Sequence, residues 1–322
     1  MPEYAAVLDA LDPTKPESII QAGDAALRTY AKSVSADADA VFRQFQAFYE
    51  SVLVKTPYIQ LRTPLNDLLN ELCAGQGLRC RAATADAFLA SNRSDDVRRR
   101  AVSQPAVAAL TQYRSAGIWF FWGEGDWYAA PEPAFISAVA ARLPLGELGE
   151  WVRFWAAEAP ERVAEDAGIL VGWEGVRRRL ARWEAFARAH PTLPETQVDA
   201  LPHVANLIAM YVFGISNTRA YDTRSGETPV YDVRAGNAPP SATGAGSARD
   251  WTLRIDPQLK SSYDRFLVQN RDSAYYTVID GIVTRLRRSN GAPTRELVDF
   301  LRAELTDPYF KQWFGVTQRW LR

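Results

Sequence analysis

Trp173-Glu-Gly-Val-Arg-Arg-Arg-Leu-Ala-Arg-Trp-Glu-Ala-Phe-Ala-Arg-Ala-His-Pro191 is the stretch that decides the fold. Trp173, Val176, Leu180, Trp183 and Ala187 recur at three- and four-residue spacing, which places them on one face of an α-helix. His190-Pro191 ends that helix, because the residue before a proline is driven out of the helical region. The same period recurs on both sides. Upstream, Ser35 opens a segment with Asp37 and Asp39 in its first turn and Val41, Phe42, Phe45, Phe48, Tyr49 and Val52 on one face. Thr63-Pro64 reads as a cap and first-position proline ahead of Leu65, Leu68, Leu69 and Leu72, and a helix over 104–116 stops at Gly117. Leu148, Trp151, Val152 and Trp155 make a further apolar face.

Downstream, Pro202 opens a helix carrying Val204, Ala205, Ile208, Tyr211 and Val212 up to Gly214. Asp256-Pro257, Asp272 or Ser273, Thr294 and Asp307-Pro308 each start another, with Asn290-Gly291 as a stop signal between two of them. The chain is therefore read as mainly α, a helical bundle or irregular helical array. No repeat of fixed period argues for a solenoid.

Two stretches break the helical period. Ile118-Trp-Phe-Phe-Trp-Gly-Glu-Gly-Asp-Trp-Tyr128 is aromatic on both sides of a short glycine-containing loop, the pattern of a β-hairpin. Tyr221-Asp-Thr-Arg-Ser-Gly226 recurs as Tyr231-Asp-Val-Arg-Ala-Gly236, predicting a second small hairpin near 216–233. Ala235 to Ala248 is rich in Ala, Gly, Ser and Pro and reads as a loop. The expected regions are 1–214, helical with the aromatic hairpin; 215–255, hairpin plus loop; and 256–322, helical and packed on the first as one unit.

Composition narrows the chemistry. The 322 residues are 47% hydrophobic and 23% charged, an ordinary globular balance. With 37 basic against 38 acidic residues the net charge of −1 gives no general attraction to nucleic acid or anionic lipid. Arginine far outnumbers lysine, a bacterial-like, GC-rich bias with no functional content. None of Lys15, Lys32, Lys55, Lys260 and Lys311 follows a glycine, so a Gly-Lys-Ser/Thr phosphate loop is excluded. Two histidines, His190 and His203, rule out a three-histidine zinc centre and the HExxH helix. Gly214-Ile-Ser216-Asn-Thr218 lacks the second glycine of a nucleophile elbow, and Gly244-Ala-Gly246 lacks the last glycine of a dinucleotide fingerprint. Asp37-Ala-Asp39 lacks the glycine and closing glutamate of a calcium loop. No cofactor is expected, and a catalytic role is disfavoured.

Cys73 and Cys80 enclose Gly75 and Gly77. Their spacing fits neither a CxxC redox pair nor a zinc knuckle, and leaves a local disulfide or two reduced thiols. Met1-Pro-Glu-Tyr is not a signal peptide and no apolar run is long enough to span a membrane, so the chain reads as soluble and cytoplasmic by default, extracytoplasmic if a leader has been removed.

The candidate surface is the aromatic hairpin. Trp119, Trp122, Trp127 and Tyr128 surround Glu124 and Asp126. Flat indoles beside acceptors suit pyranose rings; equally, such rings anchor a hairpin to a helical core and leave the acids solvated. Glu124 and Asp126 are too close in sequence to flank a glycosidic bond, so a catalytic pair would need a remote partner such as Glu158 or Asp166. Glu158 continues the Trp151–Trp155 face and is expected to point inward with an arginine partner. Arg177, Arg178, Arg179, Arg182 and Arg188 read as a solvated basic face, with Glu174 paired to Arg178. His203, near a helix start beside Asn206, reads as structural. The expectation is a non-catalytic protein–protein interaction or scaffold protein; the alternative is a glycan-binding or glycan-cleaving protein using the hairpin.

Overall fold

The computed structural model describes residues 2–32, 37–55, 65, 67–70, 72, 104–123, 126–165, 168–215, 217–223 and 253–306. Among them the chain is an array of helices with four two-stranded antiparallel pairings, a mainly α fold. No helix among the described residues is long and apolar enough to cross a membrane. The chain divides into two units, Met1–Glu161 and Arg162–Arg322, so the region boundaries expected at 214 and 255 fall inside the second.

The first unit contains α1 (Pro2–Asp9), α2 (Glu17–Lys32), α3 (Ala38–Lys55), α4 (Gln104–Ser115), β1 (Ile118–Gly123), β2 (Asp126–Pro131), α5 (Pro133–Ala140) and α6 (Glu147–Glu158). Asp37 caps α3, its Oδ1 accepting from the backbone N–H of Asp39 at 3.0 Å and of Ala40 at 3.3 Å. Val41, Phe42, Phe45, Tyr49 and Val52 are all buried, as their spacing requires. Leu65, Leu68 and Leu69 are helical and buried too. α4 stops where Gly117 takes a φ of +77°, and a Cβ there would lie 2.3 Å from Phe135 Cγ. That position accepts only glycine.

The second unit runs β3 (Ala164–Glu165), β4 (Gly168–Ile169), α7 (Gly172–Ala189), a π-helical turn at Thr196–Ala200, α8 (Leu201–Phe213), β5 (Gly214–Ile215), β6 (Thr218–Arg219), β7 (Tyr221–Thr223), β8 (Leu253–Ile255), α9 (Pro257–Gln269), α10 (Tyr276–Arg288) and α11 (Arg295–Glu304). α7 buries Trp173, Val176, Leu180 and Trp183 against α8 and α9. Pro202 stands in the first turn of α8, as expected, but no break precedes it. The helix continues backwards through the π-helical turn, with Leu201 N–H donating to Thr196 C=O. Asp256 caps α9 by accepting from Gln258 N–H at 2.8 Å and Leu259 N–H at 2.9 Å, and Thr294 caps α11 from Leu297 N–H. Asn290 and Gly291, both with positive φ, stop α10 where expected.

The strand expected at Tyr221 is present, and its partner is β8: Tyr221 pairs with Ile255 and Thr223 with Leu253. The repeat at Tyr231, the 235–248 loop and the Asp307-Pro308 helix lie outside the described residues. So do Thr63-Pro64, Asp166 and both cysteines.

Two polar linkages hold the second unit's helices in register. Arg177 is buried, its Nε and Nη2 donating to the two Glu174 carboxylate oxygens at 3.0 and 2.6 Å while Nη1 donates to Asn270 Oδ1 at 2.7 Å. That fork ties α7 to the end of α9, and the guanidinium contact pulls the Glu174 carboxyl below its ordinary range. Arg177 is thus the partner of Glu174, rather than Arg178. Farther along α7, buried Glu184 accepts from the Ser273 hydroxyl at 2.7 Å and from Ala274 N–H. It thereby supplies, from another helix, the anion that the start of α10 needs, since Tyr275 offers no side-chain cap. This moves the start of α10 beyond the expected Asp272–Ser273.

α10 and α11 approach closely at one point. Phe300 lies over Gly281, where a Cβ would come within 2.1 Å of Phe300 Cζ, and the Arg285 guanidinium stacks 3.8 Å from the centroid of the Phe300 ring.

Glu184→Ala should cost about 1–3 kcal/mol, because it removes an acceptor from buried donors. Glu296→Ala, which removes an exposed carboxylate and its loose pairs to half-buried Arg285 at 3.6 Å and exposed Arg288 at 3.7 Å, should stay within about 1 kcal/mol. Urea unfolding of the two variants side by side measures the contrast.

Candidate functional site

The β1–β2 hairpin is built from its mouth upward. Ile118 pairs with Pro131, Trp119 with Ala130, Phe121 with Tyr128 and Trp122 with Trp127. Strand alternation then puts Ile118, Phe120 and Trp127 on one face, and Trp119, Tyr128 and Ala130 on the other. Ile118 and Phe120 are buried, and Trp127 is 2% exposed. Phe120 meets Tyr113 of α4 edge to face at 5.3 Å, and Trp127 donates its indole N–H to Asn70 Oδ1 at 2.9 Å. This is the inner face, which fastens the hairpin to the helices.

At the mouth, Glu132 N–H donates to Gly117 C=O at 2.7 Å and also approaches the Tyr49 hydroxyl at 3.3 Å. Tyr49, buried on α3, donates its own O–H to Gly117 C=O. Burial raises its pKa, so the phenol stays protonated and remains a donor.

The outer face carries a second construction. Arg114 Nη1 donates to Glu132 Oε2 at 2.8 Å and to Ile118 C=O at 3.2 Å. Held there, its guanidinium lies over the Trp119 ring, 5.2 Å from the centroid. Trp119 is half-buried and Tyr128 is 42% exposed. The outer face therefore presents a fixed indole covered on one side by a neutralised guanidinium, with an exposed phenol on the neighbouring strand.

Of the residues singled out from the sequence, Trp119, Trp127 and Tyr128 are brought into one hairpin but onto two faces. Trp122 and Asp126 occupy ladder positions, and their side chains, like the whole of Glu124, lie outside the description. Glu158 is 2% exposed at the end of α6, inward as its spacing implied. Arg178 and Arg182 are exposed on α7, whereas Arg177 and Arg179 are buried at 6% each, so the expected solvated basic face is split. Long guanidinium groups at adjacent helical positions cannot all face outward, and Glu174 and Asn270 provide the compensation that lets Arg177 turn in.

His203 stacks on Trp183, with ring centroids 4.1 Å apart. Burial, and then Arg179, depress its pKa to about 4. It is a neutral packing residue. Sequence reading missed Arg114, Glu132, Tyr49 and Asn70, which position the hairpin. Arg114 alone had a local signal, standing one turn before Ile118 at the end of α4.

No group of three or more His, Cys, Asp or Glu side chains suited to a metal occurs among the described residues. Comparison with protein-family models, with curated proteins and with solved structures finds no match for this chain.

Two measurements test this geometry. Trp127→Ala should cost about 3–5 kcal/mol, because a buried ring and its hydrogen bond are lost together. Trp119→Ala should cost about 1 kcal/mol, the loss of an exposed-side stack. Thermal melting of both variants distinguishes the faces. For His203, the unfolded chain takes up a proton near pH 6.5 that the folded chain refuses until about pH 4. The stability this contributes is complete above pH 6.5 and is lost as pH falls to about 4. Its size is about 3 kcal/mol. His203→Phe should therefore lose about that much less stability than the parent between pH 6.5 and 4 in urea melts.

Proposed function

We propose that this protein acts by binding another protein rather than by chemistry of its own, and that the outer face of the β1–β2 hairpin is the contact surface. The observation that carries this reading is the fixed Arg114–Trp119 stack beside exposed Tyr128. Trp, Tyr and Arg are the residues that dominate interface energetics. An anchor already immobilised by Glu132 and Ile118 C=O has little side-chain entropy left to lose on binding.

The glycan reading has less support. A sugar-stacking indole needs an open face, and the Arg114 guanidinium occupies one side of Trp119. Trp127, the second indole such a platform would use, is turned into the helical core.

A photo-crosslinking residue placed at Tyr128 of the full chain, irradiated in a lysate of the source cells, should give one dominant protein adduct. Trp119→Ala in the same chain should abolish that adduct without unfolding the protein. A glycan array probed in parallel supplies the opposing result. Specific glycan binding that disappears in Tyr128→Ala, with no protein adduct, would overturn the proposal.

A further inference from the structure

The turn that ends α10 carries the chain's only Asn-Gly step, Asn290-Gly291. Both residues have positive φ, +54° and +83°. Gly291 N–H donates to Leu286 C=O at 2.6 Å and Asn290 N–H to Arg287 C=O at 3.4 Å, the two bonds of a Schellman closure. β8 holds the same turn from outside. Ile255 N–H donates to Gly291 C=O at 2.9 Å, and Arg254 Nη1 donates to Asn290 C=O at 2.9 Å and Ser289 C=O at 3.4 Å. The Asn290 side chain itself is exposed and makes no hydrogen bond among the described residues.

An asparagine followed by glycine is chemically labile, because glycine has no side chain to shield its amide nitrogen. Once that nitrogen loses its proton it can attack the asparagine Cγ. A C–N bond forms and closes a cyclic imide, the Cγ–Nδ2 bond breaks, and the side-chain nitrogen leaves as ammonia. Water then opens the imide at either carbonyl, giving aspartate or isoaspartate. In isoaspartate the main chain runs through the former side chain and is longer by a carbon atom. Here the fold opposes the first step. The attacking nitrogen has its proton committed to Leu286 C=O, and the carbonyls on both sides of it are held by Arg254 and Ile255. The backbone cannot turn that nitrogen onto Cγ while these bonds last.

We infer that Asn290-Gly291 is a self-modification site gated by the junction of α10 with β8: it keeps its amide while the junction is closed and converts when the junction opens. An isoaspartate at 290 displaces Gly291 along the chain, so its N–H and C=O no longer meet Leu286 and Ile255 together. The modified chain therefore retains a loosened junction after the opening that produced it. The site lies in the second unit and does not depend on the hairpin reading.

The test incubates the full chain in mildly alkaline buffer beside a synthetic peptide of residues 286–294, with isoaspartate at 290 measured by peptide mapping and mass spectrometry. The peptide should convert at least about tenfold faster than the folded chain, of which only the open fraction reacts. Arg254→Ala, which frees the Ser289 and Asn290 carbonyls, should convert about three- to tenfold faster than the parent. Arg295→Ala, at an arginine that pairs with Asp299 instead, should convert as the parent does. Sub-denaturing urea needs no variant and should raise the parent's rate toward that of the peptide. In the purified isoaspartate form, amide hydrogen exchange at Ile255 and Gly291 should be faster than in the parent. No isoaspartate in the peptide, equal rates for peptide and folded chain, or no response to urea would overturn the inference. So would unaltered exchange in the product, or a parent-like rate in Arg254→Ala that circular dichroism shows to be folded.

Discussion

A chain divided into many short helices must satisfy backbone N–H and C=O groups at every break, and this requirement organises both units. Helix ends that lack a cap of their own draw on side chains from elsewhere. Glu184 serves the start of α10 from α7. Tyr49 reaches from α3 to the hairpin mouth. Tyr263 donates to Tyr211 C=O near the end of α8 at 2.9 Å, while Tyr4, away from any helix end, settles its own buried hydroxyl on Ala22 C=O in the interior of α2 at 3.0 Å. Each of these donors and acceptors is long enough to cross an interhelical gap while its apolar body fills it. The richness in tyrosine is accounted for in part by this double duty.

Such linkages also explain why buried charge is tolerated. The Glu174–Arg177–Asn270 fork satisfies both ions within one helix and carries the surplus donor to the next. Tyr211 and Ser262 share a hydrogen bond of 2.7 Å in the same region, and Tyr211 meets the Tyr263 ring edge to face. A network with its members satisfied costs little to bury and specifies one packing among many that an apolar core would allow. Helices whose apolar stripes are otherwise interchangeable acquire a fixed order from these few contacts.

What was legible in the sequence was whatever local chemistry dictates. The apolar spacing of α3 and α7, the caps at Asp256 and Thr294, and the stops at Gly117, Gly214 and Asn290-Gly291 all follow from neighbours within one turn. The aromatic hairpin followed from strand alternation, including the fact that only part of its rings face outward. Illegible features were those decided across the fold. Nothing near Tyr221 indicates that its partner is Ile255. Nothing near Arg177 or Arg178 tells which turns inward, because Asn270 decides it from a distance. The π-helical turn was hidden because its residues keep ordinary helical composition while one hydrogen bond is displaced. The candidate surface was half-readable: Trp119 and Tyr128 could be chosen and Arg114 stood one turn away, but nothing local joined Glu132, which holds Arg114 in the stack, to them.

The contact between Phe300 and Gly281 constrains how this sequence can drift. The tip of the phenyl ring fills the space a side chain at 281 would need, and Arg285 stacks on the ring. Neither position is free to change alone: a larger residue at 281 collides, and a smaller one at 300 leaves a hole beside the Arg285 guanidinium. A descendant that exchanges the bulk, placing alanine at 281 and a slimmer aliphatic residue at 300, can keep α10 and α11 at a similar spacing. Substitutions at 281 and 300 are therefore expected to arrive together, leaving a pairwise signature of this helix crossing in diverging copies of the chain.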